Sequence, residues 1–333
     1  MLNLLLILIF LRPFISSRAF PCLNIGYSAM LLACLAFWIV RRGLPDVKTI
    51  RLPLILFALA LVISTCRAQD KLNSLGELYN YAGGIILMLA CAGLSSRDKE
   101  KTLSALAWAG FFIGLLAIIH YQYFFGSHGL LAYLAKEKVP ADNYLLDILG
   151  RGRAFYPFLN PNILAGYLAM AIPLALAREK KALLMIPMFL ALILTQSLGG
   201  FLSLFAALAV YFYLRGKPGK KDFLILAALA ALLIVFFLLR SLTGKAHTQP
   251  AFSSLMRLNY WTGALEIIRS HPLFGVGPGN FNLPQARFAH NSYLQIWAET
   301  GILGIASFLW LVILIFKATW KNKALNLALL AAA

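Results

Sequence analysis

The chain has 333 residues, of which 61% are hydrophobic and only 13% charged, with a formal net charge of +18. A mean hydropathy of +0.79 excludes an ordinary soluble domain and places the chain among polytopic membrane proteins. A basic balance of this size suggests nucleic acid as a partner, but the placement of the charge argues against it.

A membrane-spanning helix needs roughly 17–25 apolar residues, or fewer where long charged side chains snorkel at its ends. Hydropathy predicts spans near 2–16, 22–40, 52–66, 78–94, 102–125, 158–177, 182–197, 199–214, 223–239 and 290–316. The first is interrupted by Arg12 and Pro13 and lacks a basic leader and a small-x-small cleavage site. It is read as a transmembrane helix rather than a cleaved signal peptide. An eleventh apolar segment begins at Ala324 and stops at Ala333, too short to cross, so the chain is expected to be cut short there. The fold class is therefore all-α, a polytopic helical bundle of about 10–12 transmembrane helices. It is expected as one integral membrane domain over 1–333, with loops at 126–157 and 240–289.

More than half of the 30 basic residues sit in short loops after every second helix. They are Arg41, Arg42, Lys48 and Arg51; Arg97, Lys99 and Lys101; Arg178, Lys180 and Lys181; Arg215, Lys217, Lys220 and Lys221; and Lys317, Lys321 and Lys323. The positive-inside rule makes these loops and the N-terminus cytoplasmic. On the opposite face the remaining basic residues still outnumber Asp70, Glu77, Glu137, Asp142, Asp147, Glu266 and Glu299. That surplus is either tolerated by long external loops or marks a site for an anionic, membrane-borne ligand. Cys22, Cys34, Cys66 and Cys91 have no metal-ligand spacing and are expected as apolar thiols within or beside helices.

The first external loop ends in GRGRAFYPFLNPN, which places Arg151 and Arg153 just outside the sixth helix, with Asn160 as its N-cap and Pro161 in its first turn. In the second loop, Leu258, Trp261, Leu265 and Ile268 recur at helical spacing, predicting an amphipathic helix over 255–268. Such a helix is expected on the membrane surface with Tyr260 and Trp261 at headgroup depth. Arg257, Glu266 and Arg269 project from it; it either covers the bundle or presents charge to a substrate. Next, HPLFGVGPGNF carries glycines at 275, 277 and 279, but no strand precedes them and the spacing is not GxGxxG. A tight turn offering backbone N–H groups to a phosphate stays open.

Where the chain re-enters the membrane it reads AHNSYLQIWAETG. Helical spacing puts His290, Leu294 and Trp297 on one face, with Glu299 half a turn round and deeper, expected to meet another helix. His290 is either a hydrogen-bonded interfacial residue or a catalyst; Glu299 is either a functional intramembrane carboxylate or a packing contact. Asn291 and Glu266 are supporting candidates beside them.

Four blocks stand in order between apolar helices: RGRAFYPFLNPNILAGYL (151–168), TQSLGGFLSL (195–204), RLNYWTGALEIIRSHPLFGVGPGNF (257–281) and HNSYLQIWAETGILG (290–304). In these motifs the chain resembles the O-antigen ligase and polymerase superfamily of bacterial envelope proteins. The resemblance implies about a dozen helices in the inner membrane and a large periplasmic loop late in the chain. It implies transfer of a glycan from undecaprenyl diphosphate to a sugar hydroxyl of lipid A–core or another glycan acceptor. By motif, His290 matches the catalytic histidine, Arg257 the diphosphate-binding arginine, and Arg153 a basic residue before NPN. Where the family often has arginine in T-x-S-R-G, this chain has Leu198. Either Arg151 or Arg153 supplies that charge, or diphosphate binding differs here.

The chemistry fits the residues. A sugar diphosphate is already a good leaving group, so its departing charge needs fixed cations, and arginine supplies forked donors that stay charged. The acceptor hydroxyl needs a base of near-neutral pKa, which histidine can be. The external loops hold no Asp-x-Asp and no cluster of metal-ligand spacing, so a metal-independent reaction with no cofactor is expected. The expected partners are the lipid-linked donor, the glycan acceptor and membrane lipids, with no nucleic acid. The alternatives are a polymerase of repeat units, a transporter or flippase for lipid-linked glycans, and a structural envelope subunit. A transporter should carry charged or broken helices at the midplane, whereas here ionisable residues gather at the interfaces.

Overall fold

The computed structural model describes residues 2–15, 21–43, 45, 47–125, 152–158, 160–176, 183–215, 219–242, 250–283, 286 and 288–319. The described residues are all-α. The helices are α1 (Leu2–Leu11, continued by a 3-10 turn, Arg12–Phe14), α2 (Pro21–Arg42), α3 (Lys48–Arg67), α4 (Lys71–Ala92) and α5 (Ser96–Phe125). They continue with α6 (Pro161–Leu176), α7 (Met185–Thr195), α8 (Leu198–Arg215), α9 (Lys220–Leu242), α10 (Pro250–Ser270) and α11 (Ser292–Thr319). Each of the ten predicted spans has its helix, and α10 is the expected loop helix. Five helices, over Lys48–Arg67, Lys71–Ala92, Ser96–Phe125, Lys220–Leu238 and Ser292–Lys317, are long and apolar enough to cross a membrane; the other apolar helices are shorter. This is a multi-pass membrane protein. The apolar segment at 324–333 and residues 126–151 of the first expected loop, Arg151 among them, lie outside the described residues.

Local chemistry sets the helix starts. Asp70 caps α4 by accepting from the Asn73 N–H at 3.0 Å. The α6 start is as expected: Asn160 accepts from the Asn162 N–H at 2.8 Å, and Pro161 occupies the first turn, where no N–H is needed. All four thiols are free, and Cys22 and Cys66 are exposed rather than buried.

The chain divides into two compact units. The first holds the described residues of Met1–Leu31 and Ser95–Leu242. In it α5 packs on α1, α6 and α7, while α8 packs on α6 and α9. A Cβ on Gly114 would lie 2.8 Å from the Met188 nitrogen and the Pro187 carbonyl carbon, and one on Gly200 would lie 2.6 Å from the Ala165 Cβ. Small residues thus let helix backbones meet where lipid supplies no hydrophobic drive.

The second unit holds Leu32–Leu94 and Thr243–Ala318. Phe57 and Leu61 of α3 pack with Ile296 and Ile305 of α11. Ala264 and Ile268 of α10 pack with Phe281, Ala289 and Ala298. Against the rest of this unit α10 buries small residues. Leu258 and Leu265 are 52% and 40% exposed, while Ala264 and Gly263 face inward. A Cβ on Gly263 would come 2.7 Å from Leu283, so only a small residue fits at that approach. Trp261 buries its indole N–H, with no partner among the described residues.

Candidate functional site

The second unit is organised around an interruption in α11. Gly301, with φ 68° and ψ −168°, breaks this helix about two and a half turns from its start. A break strands backbone groups that hydrocarbon cannot satisfy. Here the glycine-rich turn satisfies them. The Val276 N–H donates to the Ala298 carbonyl at 3.0 Å and the Gly277 N–H to the Glu299 carbonyl at 2.9 Å. The Ser64 hydroxyl donates to the same Glu299 carbonyl at 2.5 Å. On the far side of the break, the Ile302 N–H donates to the Pro272 carbonyl at 2.9 Å.

Gly275, Gly277 and Gly279 all have positive φ. A Cβ at Gly275 would overlap the Glu299 and Thr300 backbone, and one at Gly277 would overlap Ala68. Their task is close approach. The turn is fastened to α4 by a Ser74 hydroxyl donating to the Pro278 carbonyl at 2.8 Å, by Asn73 donating to the Gly279 carbonyl, and by Asn280 reaching Ser74 at 2.7 Å. The open possibility of a phosphate-cradling turn is thereby overturned. Its N–H groups at 276, 277, 279, 280 and 281 already serve protein acceptors.

Glu299 is 4% exposed and sits at the centre of this joint. Its carboxylate accepts from the backbone N–H groups of Gly279 and Phe281 and from the Gln295 amide nitrogen at 2.5 Å. Its carboxylate thus meets a loop and its own helix, while its backbone carbonyl takes the Ser64 hydroxyl of α3, a contact with another helix as expected. The Gln295 oxygen in turn accepts from the Ala289 N–H at 2.7 Å.

His290 comes next. It lies before α11, not within it, and its backbone is left-handed with φ 51°. The expected alignment of His290 with Leu294 and Trp297 therefore does not hold. Asn291 caps the helix: its side-chain oxygen accepts from the N–H groups of Tyr293 at 3.0 Å and Leu294 at 3.2 Å. A non-glycine residue at positive φ costs of order 1–3 kcal/mol and persists only where its surroundings fix it. Here the fixing contacts are the Ala289 anchor on one side and the Asn291 cap on the other.

The left-handed turn delivers the imidazole to α10. Its ring lies 5.4 Å from the Tyr260 ring, tilted by 34°. Burial, and then the charge of Arg257, push the His290 pKa below the ordinary histidine value. Arg257 and Tyr260, three residues apart, share a helix face. That face buries Ala264 and Ile268 further along but leaves Arg257 exposed. Glu266, nine residues from Arg257, points the opposite way and is exposed. The structure therefore brings together Arg257, Tyr260 and His290, joins Glu299 to them through Gln295, and leaves Glu266 apart.

Arg153, in the first unit, is 8% exposed. Its Nε donates to the Thr195 carbonyl at 2.7 Å and one terminal nitrogen to the Asn162 side chain at 2.9 Å. Asn162 also accepts from the Ser197 hydroxyl at 3.0 Å, and Gln196 donates to the Gly152 carbonyl at 3.1 Å. Arg153 thus ties the entry to α6 to the turn before Leu198. Arg151, its companion candidate, is the one outside the described residues.

An open groove of about 340 Å³ lies between α3, α4 and α11, lined by Phe57, Tyr81, Met88 and Phe308, with Glu77 and Asn80 as its polar residues. Among the described residues no three His, Cys, Asp or Glu side chains are placed to hold a metal ion. Sequence reasoning missed Gln295 and the pairing of Tyr260 with His290. The spacing of Gln295 and Glu299, one helical turn apart, was the available signal.

Residues 183–309, from α7 to the middle of α11, match the family described as O-antigen ligase. The matched stretch contains Arg257, His290 and Glu299, and ends after the break at Gly301. No curated protein and no solved structure matches the chain.

Proposed function

We propose that this chain, a member of the O-antigen ligase superfamily, transfers a glycan from undecaprenyl diphosphate to a sugar hydroxyl of lipid A–core at the periplasmic face of the inner membrane. The family match supports ligase- or polymerase-type function in general. The observation that carries the finer reading is the placement of His290 against Tyr260 and Arg257. A histidine held below its usual pKa is neutral near pH 7 and can accept a proton.

In the reaction, the acceptor oxygen attacks the anomeric carbon of the lipid-linked sugar while His290 takes the hydroxyl proton. The bond from that carbon to the phosphate oxygen breaks, and undecaprenyl diphosphate leaves with the electron pair. Arg257 binds the diphosphate and holds the charge that develops on it, with forked donors that match phosphate oxygens. No metal or cofactor has a part. Asn291 and Glu299 support His290 from the backbone side, and Arg153 holds the turn near Leu198.

A transporter reading would draw on the broken helix, since discontinuous helices line substrate sites in that class. The interruption at Gly301 is filled by the turn at 275–281 rather than by a solute path, which favours the transferase. The test is transfer of a lipid-linked glycan by purified protein. Arg257→Ala is expected to abolish transfer, and Arg257→Lys to restore it incompletely, because a point charge lacks the fork. Full activity in Arg257→Ala protein removes this residue from the site. Envelope glycans of a deletion strain separate the two transferase types: unattached full-length polymer indicates a ligase, and single repeat units a polymerase.

A further inference from the structure

Gln295 and Glu299 reach His290 without contacting its ring. Glu299 is fixed first, because two backbone N–H groups of the glycine turn hold its carboxylate. The Ala289 N–H can only donate, so the Gln295 amide must present its oxygen to that peptide and its nitrogen to Glu299. That oxygen takes the Ala289 N–H at 2.7 Å. Ala289 is fully buried, and the next residue is the left-handed His290.

We propose that Gln295 and Glu299 are positioning residues for His290, forming a relay in which the glycine turn orients Glu299, Glu299 orients the Gln295 amide, and that amide locks the peptide from which His290 turns toward Tyr260 and Arg257. The inference rests on the reading of His290 as the base. It adds how a strained backbone is held at that residue. Without the Gln295 oxygen a buried N–H loses its partner, and the peptide at 289–290 is free to leave the left-handed region, which non-glycine residues occupy only under constraint. The imidazole then leaves the face of α10. The titratable and charged groups that face His290 there are Tyr260 and Arg257, so a released ring loses both the burial and the nearby positive charge.

The decisive variant is Gln295→Met, which keeps the volume of the side chain and removes both hydrogen bonds. The full chain in detergent is labelled with 13C-histidine, and the His290 signal is assigned by its loss in His290→Gln. In Gln295→Met the His290 titration midpoint is expected to rise by at least half a pH unit. Turnover is expected to fall at least 10-fold, with the donor KM within about two-fold. Glu299→Gln, whose amide can face Gln295 with either end, is expected to move the midpoint in the same direction by less. An unmoved His290 midpoint in Gln295→Met overturns the relay, whether turnover is normal or reduced, since a loss of turnover alone then reflects packing. Transfer at the wild-type rate by His290→Gln overturns the base role instead, and the titration arm still decides the positioning.

Discussion

Gly301→Ala tests whether the interruption in α11 is built into the fold. At φ 68° and ψ −168° this residue sits where only glycine is comfortable, and placing alanine there costs about 1–3 kcal/mol. The added Cβ would also overlap the Leu273 carbonyl and the Phe274 nitrogen. These are backbone atoms, so relief requires the turn to withdraw. Withdrawal breaks the hydrogen bonds from Ile302 to Pro272, from Val276 to Ala298 and from Gly277 to Glu299, each worth about 1 kcal/mol net. The total is on the order of 4–6 kcal/mol, a large share of the roughly 5–15 kcal/mol of an ordinary domain. Thermal unfolding in detergent should show a fall of about 10 °C or more, together with loss of transfer. Gly166→Ala is the control, since a Cβ there meets nothing within 4 Å, and it should melt within about 2 °C of wild type. A Gly301→Ala protein that melts with the control would refute the joint between the turn and the broken helix.

Because His290 must be neutral to accept a proton and its pKa is lowered, kcat/KM should hold from neutral pH to below about 6.5 and fall only in more acidic buffer. Any transfer that survives in Arg257→Ala should show its acid limb at higher pH, because the like charge that disfavours imidazolium is gone; an unmoved limb would remove that charge from the account. Arg153→Ala leaves the buried Thr195 carbonyl without its Arg153 donor and should lower stability by about 1–3 kcal/mol. Arg257→Ala, on an exposed side chain, should melt within about 0.5 kcal/mol of wild type, so equal melting of the two variants would contradict this division of labour. In a chain with its native cysteines replaced, Lys221→Cys should react only with reagent in the cytoplasm and Arg269→Cys only with reagent outside; labelling of both from one side would reverse the topology.

What was legible in the sequence follows from how local each signal is. Hydropathy needs only a run of neighbours, so ten apolar helices could be placed from it, five of them long and apolar enough to cross a membrane, and the cap at Asn160 with Pro161 needs only adjacent residues. The face of α10 that packs on the protein was not legible, because small residues leave no mark in an apolar periodicity. In the structure the close approach to Leu283 demands Gly263, Ala264 is buried next to it, and Leu258 and Leu265 turn outward. The break at Gly301 was hidden by an apolar run that continues past it on both sides. Only the polar triplet Glu299, Thr300, Gly301 interrupts that run, and the three glycines of the turn are its counterpart 22–26 residues earlier. Arg153 was legible as a basic residue near a helix start, but its acceptors Thr195 and Asn162 come together only through tertiary packing. His290 was found for its chemistry and misplaced by its geometry, because a positive φ on a histidine leaves no mark in composition or periodicity.

The central claim is that His290 does chemistry at this face rather than simply binding. Its most direct test measures donor binding and glycan transfer in the same purified, detergent-solubilised protein with EDTA present. If His290 is the base, His290→Ala binds the lipid-linked donor within a few-fold of wild type while turnover drops by roughly 10²–10⁴, and His290→Gln recovers little, since an amide has no basic nitrogen. Transfer by His290→Ala at the wild-type rate would contradict the account.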